Sequence, residues 1–172
     1  SLSYKLLRVV NSAPFGLRSE ITSIRQALVI LGAKEIKKWI SLITVGHIGQ
    51  DKPDELVKRA LFRARFCELI APLAGHKDNA SDLFLLGMFS LIDAFIDQPL
   101  NEILEDLPLS TEIKRTLTDQ KSSYNEIFSL VTDYEKSDWD RILATAKKIG
   151  IPNDMLPSKY FSAVEWVMQI FT

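Results

Sequence analysis

Hydrophobic side chains recur along this 172-residue chain at the three- and four-residue spacing of amphipathic helices. Alternating hydrophobic and polar positions, which are typical of half-buried strands, are nearly absent. Helices are predicted over residues 2–10 and 21–31, and a further helix follows Gly32, which is expected to break the pattern. The pattern therefore predicts an all-α protein.

Two central helices are expected in the middle of the chain. Residues 51–53 are typical of a helix start, and this helix is predicted to extend to about Leu73. Residues 83–96 contain 11 apolar residues in 14 positions, which predicts one helix that is buried on nearly all sides. A membrane span needs about 20 such residues, so no membrane association is expected.

Shorter helices are predicted in the last part of the chain. Ser123 and Glu126 have the spacing of a capping box, and Ser110 and Ser137 are further candidate caps. No internal repeat and no low-complexity tract separates these helices from the rest. The chain is therefore expected to form one compact multi-helix bundle over residues 1–172. The predicted positions of the later helices are 99–105, 110–117, 123–134, 137–148 and 152–170.

Charge is distributed unevenly although the net charge is only −1. Residues 1–66 carry 12 Lys and Arg against 5 Asp and Glu, whereas residues 67–172 carry 9 against 17. This asymmetry predicts a basic and an acidic side, or simply solvated helix faces. The single cysteine, Cys67, is typical of a reducing compartment, so a cytoplasmic location is expected. The chain opens without a signal peptide and already in helical pattern, so we expect a C-terminal fragment of a longer protein.

Motifs for metal binding and nucleophilic catalysis are missing from the sequence. The two histidines, His47 and His76, lie far apart, and no Cys-x-x-Cys or His-Asp pair accompanies them. His76 is expected to be a solvated loop residue, and Cys67 is expected to pack as a small hydrophobic side chain. No glycine spacing typical of a phosphate loop occurs. The sequence therefore predicts no metal, no cofactor and no enzyme.

Two polar groupings remain as candidates. Ser90, Asp93 and Asp97 are spaced to share one helical face; alternatively, Ser90 bonds a backbone carbonyl and Asp93 meets a cation or solvent. A basic group on the helix after residue 53 is spaced to meet phosphates, but aromatic residues are not interleaved with it, and nucleic acid binding is not expected. The members of this basic group are Lys58, Arg59, Arg63 and Arg65.

Two segments resemble the HDOD family of bacterial signalling domains. Residues 2–16 are similar to its Leu-x-x-x-Leu-Leu-Arg-x-x-Asn-Ser-Ala opening, which an aromatic residue and Gly follow. Residues 21–32 are similar to its Ile-x-Ser-Ile-x-x-Ala-Ile-x-x-Leu-Gly segment. Residues 84–93 look like the subgroup that joins an EAL domain to an HDOD domain. The resemblance implies an HD-like all-α bundle and a link to cyclic-di-GMP signalling through an upstream EAL domain.

Catalytic relatives of this fold carry a Gly-Leu-Leu-His-Asp-Ile-Gly pattern in which His and Asp bind a metal. Here Ser90 takes the place of the histidine and Leu91 that of the aspartate, and an earlier metal-binding histidine would fall near Arg59. Without a metal-activated water, hydrolysis of this type lacks a nucleophile. The resemblance therefore implies a non-catalytic output or regulatory module that acts through a protein partner or a neighbouring EAL domain.

Two alternatives stay open beside this interpretation. One is a diverged metal-dependent phosphohydrolase that uses Asp93, Asp97 and His47. The other is a nucleotide or nucleic-acid binding module that uses the basic N-terminal part. The candidate binding residues are Asn11, Ser12, Arg18, Arg25, Ser90 and Asp93.

Overall fold

The computed structural model describes residues 24–48 and 51–171, and no strand occurs within these ranges. None of the helices in this part is both long and apolar enough to cross a membrane. The predicted all-α class is confirmed. The helices are α1 (Ile24–Ile48), α2 (Asp54–Ile70), α3 (Ala80–Phe89), α4 (Ile92–Ile96), α5 (Leu100–Asp106), α6 (Thr111–Leu117), α7 (Asn125–Glu135), α8 (Trp139–Lys148) and α9 (Met155–Phe171), with a 3-10 turn at Lys77–Asn79.

Helix α1 is bent at Gly32, whose backbone is non-helical (φ 79°, ψ 165°). Glycine adopts a positive φ at little steric cost because it lacks a Cβ, and the predicted break at this position is confirmed. After the bend, Ile36 and Lys38 are buried. The Lys38 ammonium pairs with Glu35 at 2.9 Å and also with Glu68, which ties α1 to α2.

Helices α2 and α3 pack directly against each other at the centre of the described part. Every residue of 83–89 is buried, as predicted for a segment that is apolar on all sides. Gly87 faces the backbone of α2, and a Cβ at this position would lie under 3.0 Å from backbone atoms of Arg63 and Ala64. The close approach of the two helices therefore requires glycine here.

The single helix predicted over residues 83–96 is wrong, because the backbone leaves helical geometry at Leu91 (φ −125°, ψ 16°). The Ser90 hydroxyl donates to the carbonyl oxygen of Gly87 at 2.7 Å. Such local bonds give the backbone an alternative to helix continuation. Helices α3 and α4 are consequently separate, and α2 ends at Ile70, slightly before its predicted end.

The later helices lie close to their predicted positions, but their caps differ. The predicted capping box of Ser123 and Glu126 is wrong, because a carboxylate oxygen of Glu112 accepts bonds from the Ser123 N–H and hydroxyl, both at 2.8 Å. Helix α8 is capped by the Asp138 carboxylate, which accepts from a backbone N–H of the first turn at 3.2 Å. The predicted cap, Ser137, instead has a positive φ of 56° just before it.

One hydrophobic core joins these helices. Buried side chains from all nine helices of the described part, including Ile103 of α5, belong to a continuous cluster. Its largest fully buried side chains include Phe66, Phe84 and Met88. The prediction of a single domain over residues 1–172 extends beyond the described residues and stays a prediction.

Candidate functional site

Arg63 of α2 forms a two-bond ion pair with Glu135 at the end of α7. Its Nε and Nη2 atoms donate to the two carboxylate oxygens at 2.7 and 2.8 Å, and its Nη1 donates to Ser90 Oγ at 3.1 Å. The two charged side chains are only 13% and 18% exposed. Bidentate pairs of this kind fix the orientation of the guanidinium. The cluster therefore connects α2, the end of α3 and α7.

Ser90 also occupies the position that the resemblance aligns with a metal-binding histidine. In this structure, the cation that contacts Ser90 is the Arg63 guanidinium. The adjacent Leu91 has no nitrogen, oxygen or sulfur in its side chain with which to bind a metal. Among the described residues, no three or more His, Cys, Asp or Glu side chains are grouped to hold a metal ion.

A cleft of about 410 Å³ lies next to this cluster, between α2, the end of α7 and α9. Two cations, Lys58 and Arg59, and three rings, those of Phe62, Tyr134 and Tyr160, contribute to its lining. This volume is within the range of small-molecule pockets, roughly 300–1,000 Å³. The cleft therefore combines positive charge with aromatic surface.

The three rings hold one another in place. Tyr134 and Tyr160 are stacked, with ring centroids 5.1 Å apart and planes at 29°. Phe62 meets Tyr160 edge-on at 5.3 Å. Burial, with a contribution from the neighbouring Tyr160, raises the pKa of Tyr134 above its ordinary value, so its hydroxyl remains a donor at neutral pH. All three rings are partly exposed.

The charges of the cleft are mostly neutralised internally. Lys58 Nζ donates to Glu55 Oε1 at 2.9 Å, and this hydrogen bond raises the pKa of Lys58, which stays protonated. Glu135 is held by Arg63. Arg59 is exposed and forms no hydrogen bond or ion pair with any residue that the structure describes. One guanidinium is thus left to meet an incoming group.

Most of the candidate binding residues predicted on the N-terminal side fall beyond the described part. Asn11, Ser12 and Arg18 lie outside the described residues. The backbone of Arg25 belongs to α1, but its side chain lies outside the described part as well. Their suggested role in partner binding therefore stays a prediction.

Ser90 does not share a helical face with the two acidic candidates. The break before α4 separates Ser90 from Asp93, and Asp93 is exposed to solvent. Asp97 has a left-handed backbone (φ 57°) and pairs with Lys52 at 2.6 Å. The structure therefore places Ser90 with Arg63 and leaves Asp93 at the surface.

Cys67 and His76 pack against other side chains. Cys67 is fully buried, and burial raises the pKa of its thiol, as expected for a cysteine that packs as a hydrophobic side chain. The prediction of a solvated His76 is wrong, because this partly buried ring packs edge-on against Tyr124 at 5.6 Å. The side chain of His47 lies outside the described part.

The aromatic component of the cleft was missed by sequence reasoning. Phe62 lies between Arg59 and Arg63 in the sequence, so the statement that no aromatic residue is interleaved with the basic group is wrong. Tyr134 and Tyr160 come from α7 and α9, and only the fold brings them to α2. Tyr160 lies within the last predicted helix, over residues 152–170, but helical spacing predicts packing rather than a cleft.

The HDOD domain family model matches residues 1–96. Because this match covers more than half of the sequence, the chain belongs to the HDOD family, and the predicted resemblance is confirmed. No solved structure matches this chain.

Two relatives extend the similarity beyond the matched segment. Cyclic di-GMP phosphodiesterase CdgJ of Vibrio cholerae is 34% identical over 170 residues, which is 99% of this chain and 39% of the relative. Uncharacterized protein YuxH of Bacillus subtilis is 34% identical over 171 residues, which is 96% of this chain and 41% of the relative. The chain thus spans about two fifths of the length of these relatives.

The name of the Vibrio cholerae relative contradicts the prediction that this chain is not an enzyme. That prediction rested on missing sequence motifs and on two changed ligand positions, Ser90 and Leu91. Such changes bear on a single type of metal-dependent hydrolysis and leave other routes to phosphodiester cleavage untouched. The expected link of the family to cyclic-di-GMP signalling agrees with the relative's name.

Proposed function

We propose that this chain is part of a cyclic-di-GMP phosphodiesterase and regulates its hydrolytic activity through contacts with a neighbouring domain or a protein partner. The observation that supports this most directly is the 34% identity to the phosphodiesterase CdgJ over 99% of this chain. In the proposal, the neighbour is an EAL domain, to which the sequence resemblance points, and the protein is cytoplasmic.

Exposed aromatic residues next to the cleft support a role in protein contacts. Trp139 is 56% exposed and Phe161 is 64% exposed. Trp139 packs edge-on against Tyr134 at 5.4 Å, and Phe161 packs against Tyr160 at 5.8 Å. Aromatic residues are enriched in protein interfaces. A partner bound at Trp139 and Phe161 would therefore contact residues that pack directly against the rings of the cleft.

The test is cyclic-di-GMP hydrolysis by the complete polypeptide that contains this chain, with and without Trp139→Ser. Since this residue is exposed, the substitution leaves the core intact. We expect the hydrolysis rate to change by about fivefold or more, the lower range of typical couplings between sites.

Val29→Ser is the matched control, because Val29 is an 81% exposed apolar residue on α1 that does not line the cleft. Its hydrolysis rate should equal that of the unaltered protein. Unchanged hydrolysis in Trp139→Ser and in a second variant, Phe161→Ser, would reject regulation through this surface. Hydrolysis by the 172-residue chain alone, at the rate of the complete polypeptide, would place the activity in this chain and reject the regulatory role.

A further inference from the structure

The charge balance of the cleft favours an anionic ligand. Its two carboxylates, Glu55 and Glu135, are each engaged by a cation, Lys58 and Arg63 respectively. Arg59 adds a guanidinium that no described residue neutralises. Arginine remains protonated at all physiological pH values and binds phosphate with two parallel hydrogen bonds. An anion that enters the cleft thus meets a permanent positive charge without displacing an internal partner.

The walls of the cleft favour a ligand that also carries a planar ring. Phe62 lies one turn after Arg59 on α2, so its ring and the Arg59 guanidinium project from the same side of this helix. Tyr160 packs edge-on against Phe62 and extends the aromatic surface. Aromatic side chains bind nucleobases by stacking, with little dependence on the identity of the base.

Hydroxyl groups complete the set of donors and acceptors. Tyr134, Tyr160 and Ser137 line the cleft, and their hydroxyls form no hydrogen bond with any residue that the structure describes. A ribose or a base edge offers suitable partners for such groups. From the guanidinium, the rings and the hydroxyls together, we propose that this cleft binds a nucleoside phosphate, with its phosphate at Arg59 and its base against Phe62 and Tyr160.

The proposal does not depend on the regulatory function proposed above; only the choice of a guanine nucleotide as the first probe follows from it. The two can fail separately, because ligand binding is measured on the 172-residue chain without hydrolysis. If the cleft binds nucleotide but Trp139→Ser leaves the hydrolysis rate unchanged, the nucleotide proposal stands and the regulatory proposal fails.

The experiment is isothermal titration calorimetry of this chain with 5′-GMP, and with guanosine and inorganic phosphate as the two halves of the ligand. We expect GMP to bind more tightly than either half. Arg59→Ala should weaken GMP binding about tenfold, since it removes a charge-assisted contact, and should leave guanosine binding unchanged. Phe62→Leu should weaken both GMP and guanosine about fivefold.

Arg115→Ala is the matched control, because it removes the same charge from a different cavity on α6. GMP affinity should be unaffected in this variant. The proposal is overturned if neither 5′-GMP nor 5′-AMP binds, or if Arg59→Ala binds GMP as tightly as the unaltered chain. It is also overturned if inorganic phosphate alone binds as tightly as GMP, since the rings would then contribute nothing.

Discussion

Arg59 and Arg63 lie one helical turn apart on α2, yet their surroundings differ completely. Arg63 is mostly buried and donates to Glu135 and Ser90 through three hydrogen bonds. Arg59 is exposed at the cleft and bonds no described residue. The same type of residue thus joins helices at position 63 and remains available to a ligand at position 59.

The difference arises from the helices that pack against α2. At Arg63, the close approach of α3 through Gly87 and the end of α7 encloses the guanidinium. A buried cation without a partner is costly, so this position requires Glu135. Arg59 instead lies at the cleft and is exposed, so its guanidinium is accessible to solvent. Burial, rather than residue type, decides which of the two arginines is structural.

Gly87→Ala should have the largest effect, because it removes the close approach that encloses Arg63. The added methyl group would overlap backbone atoms of α2, which cannot move aside as a side chain can. We expect a loss of about 3 kcal/mol in the free energy of unfolding, at the upper end for overpacked cores. Urea denaturation followed by circular dichroism measures it.

Gly75→Ala is the control for this substitution. A Cβ at Gly75 would meet nothing within 4 Å, so only the left-handed backbone (φ 77°) opposes alanine there. Its cost should be about 1 kcal/mol. If the two variants lost equal stability, close packing of α3 on α2 would not be what encloses Arg63.

Arg63→Met tests the contrast between the two arginines directly. It leaves the Glu135 carboxylate mostly buried without its cation, and we expect a loss of about 2 kcal/mol, less than for a fully buried pair because both side chains keep some contact with water. Arg59→Ala should change stability by no more than about 0.5 kcal/mol. Urea denaturation of the two variants measures both changes.

A double-mutant cycle identifies the source of the loss. Arg63→Met combined with Glu135→Met should cost less than the sum of the single substitutions, because no charge is then left unpaired. Additive losses, or an Arg59→Ala variant as unstable as Arg63→Met, would show that the ion pair does not distinguish the two positions.

The sequence predicted features that depend on neighbouring residues and missed those that depend on distant ones. The break at Gly32 and the fully buried segment 83–89 follow from local backbone freedom and local apolarity. The break after Ser90 is also local, but the surrounding apolar run concealed it. The cleft joins α2 to Tyr134 and Tyr160, and helical spacing carries no information about which distant faces meet.

Two glutamates, Glu112 and Glu135, differ in their partners as the two arginines do. Glu112 accepts hydrogen bonds from the Ser123 N–H and from the hydroxyls of Ser123 and Ser122, all of them neutral donors. The bond from the Ser123 N–H, together with the two hydroxyls, lowers the pKa of Glu112 from its ordinary value of 4.5. Unlike Glu135, this carboxylate is held mainly by neutral donors, and its contact with a cation, Arg115 Nη1, is longer at 3.8 Å.

The smallest predicted effect therefore concerns how the stability of the chain depends on acidic pH. Because the folded-state pKa of Glu112 is lowered, its contribution to stability is present above pH 4.5 and is lost as the pH falls through the lowered value. Glu112→Gln should reduce the urea midpoint slightly at pH 7 and should make the decline in midpoint below pH 4.5 shallower. Glu165→Gln, at an exposed carboxylate that bonds no described residue, should keep the slope of the unaltered chain. Parallel declines for Glu112→Gln and the unaltered chain would mean that the serine donors do not stabilise the Glu112 carboxylate in solution.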